Sequence, residues 1–166
     1  MTRTKLAIFT DASFDPASKC GVVGAVIIDE NVVATDIRPV VETKVFRNTT
    51  NTRLELQAIL WALKKIRNHN RNIPVTLYTD CKTAVDLPKR RTKLESRKFK
   101  TVKGLDLNNG DMYIRFFSLF DEIMLKIIWV KGHKPSPTQN AHEKILSLVD
   151  KTTRRSLREM IKPAQP

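Results

Sequence analysis

Two apolar segments of this chain end in the same pair of residues, and a helix-like segment lies between them. Ile8-Phe9-Thr10-Asp11 and Leu77-Tyr78-Thr79-Asp80 each read as a strand that closes on Thr-Asp and enters a loop. Asn51 or Thr52 is placed to cap an intervening helix running to about Asn68, whose Leu54, Ala58, Trp61, Ala62 and Ile66 recur at helical spacing. A helical crossover makes the strands it joins parallel. Parallel strands bring their carboxyl ends to one edge of the sheet, where open α/β folds bind ligands. Asp11 and Asp80 are therefore expected close together at one crevice.

The rest of the chain fits around that unit. Strands are expected at Lys5–Thr10, Gly21–Asp29, Val32–Arg38, Val41–Phe46 and Val75–Thr79, with a buried strand at Met124–Val130. After Asp80 the pattern predicts a short helix at Thr83–Leu87 and a basic, weakly ordered stretch beyond Pro88. Asp111–Ile123 and a long final segment, 139–161, read as helices, separated from each other by the 124–130 strand and a proline-containing loop at Lys134–Thr138. This order describes an α/β fold, a mixed sheet covered by helices. The chain has 166 residues and no linker-like stretch or repeat, so a single domain over 1–166 is expected.

Composition narrows the partners. At 41% hydrophobic and 28% charged, the chain is of ordinary globular make-up, and no apolar run is long enough to span a bilayer. Cys20 and Cys81 form neither a disulfide framework nor a metal-ligand spacing, and the N-terminus lacks the shape of a signal peptide. A cytoplasmic, non-membrane protein is the expectation. The Met1 start is in keeping with a free-standing protein, and a monomer is expected. With 30 Lys plus Arg against 17 Asp plus Glu, the net charge is +13, which points to a polyanionic partner such as nucleic acid.

Against that positive background, carboxylates in apolar positions need a reason. Glu55 shares a helical side with Ala58, Ala62 and Ile66, and Asp150 lies beside the Leu146, Val149, Thr153 and Leu157 stripe of the last helix. Charge on such faces costs several kcal/mol unless it is compensated. Arginine or lysine partners could do this, and turn-capping could account for Asp11 and Asp80. Taken together, Asp11, Glu55, Asp80 and Asp150 are better explained by divalent cations.

These residues and their neighbours resemble the type 1 ribonuclease H family. Ile8-Phe9-Thr10-Asp11-Ala12-Ser13 is similar to its first-strand motif, and Thr49–Ala58 to its helix motif. Leu77–Asp80 is similar to the strand supplying the third carboxylate, and Trp129-Val130-Lys131-Gly132-His133 to the run before the active-site loop. The similarity covers roughly residues 6–158. Three features depart from the family: no glycine occurs in Phe14–Lys19, Cys81 stands where serine is usual, and seventeen residues separate His133 from Asp150, more than is common.

The resemblance implies a ribonuclease H-like five-stranded mixed sheet and hydrolysis of the RNA strand of RNA–DNA hybrids, leaving 5′-phosphate ends. It implies two Mg²⁺ ions, replaceable by Mn²⁺, about 4 Å apart. Asp11 and Asp80 would sit at the centre, Glu55 on the leaving-group side, and Asp150 beside the nucleophilic water. His133, or His142 by its nearness to Asp150, would help move protons or release product. Asn51 and Thr52 would read the minor groove, where the 2′-hydroxyl marks RNA, and Thr50 would hold a DNA phosphate. A basic protrusion at about 89–110 would grip the hybrid through Lys89, Arg90, Arg91, Lys93, Arg97, Lys98, Lys100 and Lys103. Residues 89–103 supply +7 of the net +13. The rival readings are a non-catalytic nucleic-acid-binding module and a resolvase-like DNA nuclease on the same superfold.

Overall fold

The computed structural model describes residues 4–68, 72–132 and 134–163. Strand β1 (Leu6–Asp15) turns into β2 (Cys20–Asp29), and β3 (Glu42–Phe46) follows. Helix α1 (Asn51–Arg67), β4 (Val75–Thr79), α2 (Lys82–Ser96), α3 (Gly110–Glu122), β5 (Leu125–Trp129) and α4 (Ala141–Ile161) complete the elements that matter here. The five strands lie in the order β3-β2-β1-β4-β5. β1, β2 and β3 pair antiparallel, while β4 runs parallel to both β1 and β5.

Side-chain alternation sorts the strands between two cores. Ile8 and Leu77 point into a cluster completed by Leu56, Ile59 and Leu63 of α1, Leu87 of α2 and Phe116 of α3. Ala7, Phe9 and Tyr78 point the other way, onto Ile145, Leu146 and Val149 of α4. Residues Cys20 to Val26 of β2 are buried without interruption because helices cover both faces of the sheet. The same parity carries Asp11 and Asp80 to the α4 face, two residues beyond Phe9 and Tyr78.

The segment expected as a strand at 32–38 is instead a 3-10 turn over Glu30–Thr35. β2 already pairs with β1 on one side and β3 on the other, so no edge remains for another strand there. Asp29 accepts a hydrogen bond from the Asn31 N–H at 2.9 Å, which starts the turn, and only Val33 of the segment is buried. Five strands result, not the six that residue patterns predict.

The stretch after Pro88 is also ordered differently from expectation: α2 continues through Pro88 to Ser96. The proline leaves the Ala84 carbonyl without its usual donor, yet Ala84, Leu87 and Leu94 are all buried against the core. Arg91 clamps the helix to α3, donating to Asp121 at 2.5 and 2.8 Å while also holding Glu95 and covering Phe117. Packing outweighs the missing hydrogen bond. Pro88→Ala is expected to raise the melting midpoint by a few degrees, on the order of 1 kcal/mol, in a calorimetric scan. A lower midpoint would mean that the proline is needed for Leu87 and Leu94 to seat.

Two boundaries differ as well. β1 runs on to Asp15, so Asp11 lies within the strand, opposite Gly24 of β2, whereas Asp80 does follow the end of its strand. β5 is an edge strand of half-buried and exposed residues, not the buried strand expected, with Trp129 43% exposed. α2 packs against it on one side, Ile128 leans on the α4 cluster on the other, and nothing pairs with its outer edge among the described residues.

Candidate active site

Three of the four carboxylates named from the sequence open onto one cavity of about 360 Å³: Asp11, Asp80 and Asp150. Parallel pairing of β1 with β4 ends at Phe9 and Tyr78. Asp11 and Asp80 stand two residues past that pair on neighbouring strands, whose spacing is about 4.8 Å. Gly132 closes the cavity from the loop after β5. A Cβ there would meet Asp80 Oδ2 at 3.0 Å, so the loop's approach depends on glycine. Trp129 fixes the strand end by donating its indole N–H to the Asp80 carbonyl at 3.3 Å.

Asp150 reaches the cavity because α4 lies unusually close to the sheet. Gly24 makes room for it: a Cβ at 24 would lie 2.7 Å from Thr153 Cγ2 and 2.9 Å from Val149 Cγ1. The buried hydroxyls of Ser13 and Thr153 share a hydrogen bond of 2.9 Å, which ties β1 to α4 one turn beyond Asp150. The Asp150 carboxylate itself accepts from Arg154 Nε at 2.8 Å. That pair is an exposed i,i+4 bridge, worth about 0.5 kcal/mol or less, and is readily exchanged for another cation.

Glu55 comes from the opposite face of the sheet, from the first turns of α1. Its neighbours Ala58, Ala62 and Ile66 are buried while Glu55 is half-buried. The Cys81 thiol hydrogen-bonds to it. Burial and this acceptor push the thiol up to about 12, so it stays protonated and can donate. Burial raises the Glu55 carboxyl above its ordinary value, and the Asp80 charge adds to the rise.

Asp11 bears the strongest strain. Burial first, then Asp80, Asp150 and Glu55, push its carboxyl up to about 8, against a partial offset from the Ala12 N–H at 2.7 Å. A proton or a cation in this cavity would relieve that charge. Among the described residues no three His, Cys, Asp or Glu side chains close into a ready-made metal cage. Mg²⁺ does not need one: it retains waters and takes one or two carboxylates plus substrate phosphate. The oxygen-only donor set at Asp11 and Asp80 fits that preference.

The other candidates divide. His133 lies outside the described residues. His142 packs against the Tyr78 ring with centroids 4.4 Å apart and pairs with Glu30 at 2.9 Å, away from the lining of the carboxylate cavity. Tyr78 donates to the same Glu30 oxygen at 2.7 Å. Thr50 caps α1, accepting from the Arg53 N–H at 3.2 Å, and leaves Asn51 and Thr52 exposed on its first turn. Lys89, Arg90, Lys93, Arg97, Lys98 and Lys103 are exposed on α2 and the following loop. Arg91 serves instead as the α2–α3 clamp, and Lys100 pairs with Asp106 at 2.8 Å. Sequence reading missed Lys82, whose ammonium sits 5.3 Å from the centre of the Trp129 ring beside Asp80. It also gave no role to Gly24 and Gly132, whose only signal was glycine within a strand pattern and glycine before a histidine.

A mixed sheet with acidic side chains gathered where its parallel pairing ends belongs to the α/β class whose ligand crevice lies at the carboxyl ends of the strands. The RNase H family model matches residues 3–153, a span containing all four carboxylates. The chain belongs to the RNase H family. A ribonuclease H of Novosphingobium aromaticivorans is 29% identical over 102 residues, covering 61% of this chain and 69% of the relative. One of Salmonella arizonae is 31% identical over 90 residues, covering 54% of this chain and 56% of the relative. The prototype foamy virus (PFV) RNase H domain has the same fold, with a TM-score of 0.68 at 22% identity over 93% of this chain and 95% of that domain.

Proposed function

We propose that this chain is an endoribonuclease that cuts the RNA strand of RNA–DNA hybrids with two divalent ions, Mg²⁺ or Mn²⁺ in its place. The observation that carries the reading is the convergence of Asp11, Asp80 and Asp150 on one cavity, with Glu55 beside it, in a family member. Such an arrangement is costly in the metal-free protein and is relieved by cations.

Bound divalent ions would supply positive charge to the scissile phosphate, a more acidic attacking water and a stabilised 3′-oxygen leaving group. Asp11 and Asp80 would hold the ions centrally, Glu55 towards the leaving group and Asp150 towards the water. Cys81 orients Glu55 through its thiol. His133 would assist proton movement, leaving a 5′-phosphate and a 3′-hydroxyl. Thr50, Asn51 and Thr52 lie together at the start of α1, suited to contact phosphate and 2′-hydroxyl while Thr50 also caps the helix. The exposed cations of α2 and the loop after it would hold the duplex backbone.

We further infer that residues 1–166 act as one catalytic domain and as a monomer. Cys20 and Cys81 are free and buried, in keeping with a reducing compartment such as the cytoplasm. No helix among the described residues is long and apolar enough to cross a membrane.

An end-labelled RNA–DNA hybrid, an RNA duplex and a DNA duplex, each incubated with Mg²⁺ or with chelator, test the proposal. RNA-strand cutting is expected for the hybrid alone and only with the metal. Hybrid binding should weaken steeply with salt, since each phosphate contact contributes a slope of about −0.9 in log–log form for B-form DNA. Cleavage of the DNA duplex instead, or cutting in chelator, would defeat the proposal.

A further inference from the structure

Next to the carboxylate cavity lies a larger groove of about 630 Å³, walled by residues 33–39 on one side and by the first half of α4 on the other. The two spaces share Ser136, Gln139, Ser147 and Lys151 in their linings, so the groove lies immediately beside the carboxylates. Arg38, Lys144 and Lys151 line it against a single acid, Asp36. None of these three cations forms an ion pair among the described residues. Ile37, 39% exposed, and Pro39 give the wall an apolar surface beside those charges.

We propose that this groove binds an unpaired extension of the strand being cut, a single-stranded RNA tail leaving the hybrid next to the scissile phosphate. The inference rests on the ribonuclease reading, because the strand next to the carboxylates is the one that would pass on into the groove. Its volume, about 630 Å³, is that of a small-ligand site, the scale of a short single-stranded segment. Unneutralised cations beside apolar side chains match a phosphate backbone whose bases are unstacked. The turn over Glu30–Thr35 builds one wall, and α4 extends nine residues ahead of Asp150 to build the other. The turn stands where the sequence pattern predicts a strand, and the helix is the long one expected at 139–161.

The test compares a blunt hybrid with hybrids carrying a short unpaired RNA tail at the 5′ or the 3′ end. For the unaltered protein, one tail polarity is expected to lower KM about fivefold with kcat unchanged, an advantage that salt erodes. The double variant Arg38→Glu, Lys144→Glu is expected to lose that advantage while cutting the blunt hybrid as before. Equal KM values for blunt and tailed hybrids overturn the proposal. So does a tail advantage that survives the double variant, or an equal advantage from a tail on the DNA strand. Displacement of the RNA tail by oligoglutamate but not by oligouridylate would assign the groove to an acidic protein segment and likewise overturn it. Fluorescence anisotropy of the same hybrids without divalent ions separates the two failures: absent cleavage sinks the ribonuclease reading, whereas absent tail preference in binding sinks the groove.

Discussion

Asp11→Asn is expected to lower hybrid cleavage by about a thousandfold or more, roughly 4 kcal/mol of transition-state stabilisation, while making the metal-free protein more stable. The two effects have one cause. Asp11 is held in a buried place beside Asp80, Asp150 and Glu55, and its carboxyl is pushed up to about 8. A carboxyl raised in the fold is neutral in both states below its unfolded value near 3.8, so it costs nothing there. As pH rises towards 8 the unfolded chain ionises freely while the folded one resists, and stability is lost across that window. Asparagine removes the penalty. In chelator, the melting midpoint of the variant should exceed that of the unaltered protein by a margin that opens between about pH 4 and 8 and then levels off, on the order of 2 kcal/mol or several degrees. Adding Mg²⁺ should stabilise the unaltered protein and reverse the order, since ligand binding to the native state adds to its stability. A variant that is less stable in chelator at pH 8, or that cuts within tenfold of the original rate, would contradict the assignment of Asp11 to the metals.

Gly24→Val is the second large effect, and it acts without touching a carboxylate. Gly24 lies opposite Asp11 in the β1–β2 ladder and directly beneath α4. A Cβ would come within 3 Å of both Val149 and Thr153, and valine adds two methyl groups to that clash. Overpacking of this kind costs about 1–3 kcal/mol, a fall in melting midpoint on the order of 6 °C. The helix can relieve the clash only by lifting from the sheet, which strains the Ser13–Thr153 hydrogen bond and withdraws Asp150 from Asp11. A loss of kcat of about tenfold is therefore expected, with KM for the hybrid little altered because the basic surface of α2 is remote from the change. Gly24→Ala should fall between the two. Unchanged stability and turnover in the valine variant would show that α4 is not held at the distance that glycine permits.

Much of this arrangement was legible in the sequence, and the reasons are local. The repeated Thr-Asp endings around an amphipathic helix give parallel strands and adjacent carboxylates, because a crossover connection leaves little choice of topology. Glu55 on the Ala58–Ala62–Ile66 side follows from helical periodicity alone. What escaped depended on neighbours distant in the chain. Val32–Arg38 has the composition of a strand, but β2, which it follows, is already paired on both sides. Pro88 reads as a helix end, yet Leu87, Leu94 and the Arg91–Asp121 clamp hold α2 through it. Arg91 and His142 stand out in the sequence by type and position, but their ion pairs with Asp121 on α3 and with Glu30 join residues far apart in the chain.

The sequence by itself determined which acids are present, which strands and helices carry them and which way the strands run. Those properties follow from periodicity and chain connectivity, which are encoded within short windows. Only the tertiary structure decided how close the acids come, which cations remain unneutralised and which groove adjoins the carboxylates. Such distances are set by whole surfaces meeting, as where α4 settles on Gly24, and a packing contact between residues far apart in the chain leaves no mark in either one's local pattern.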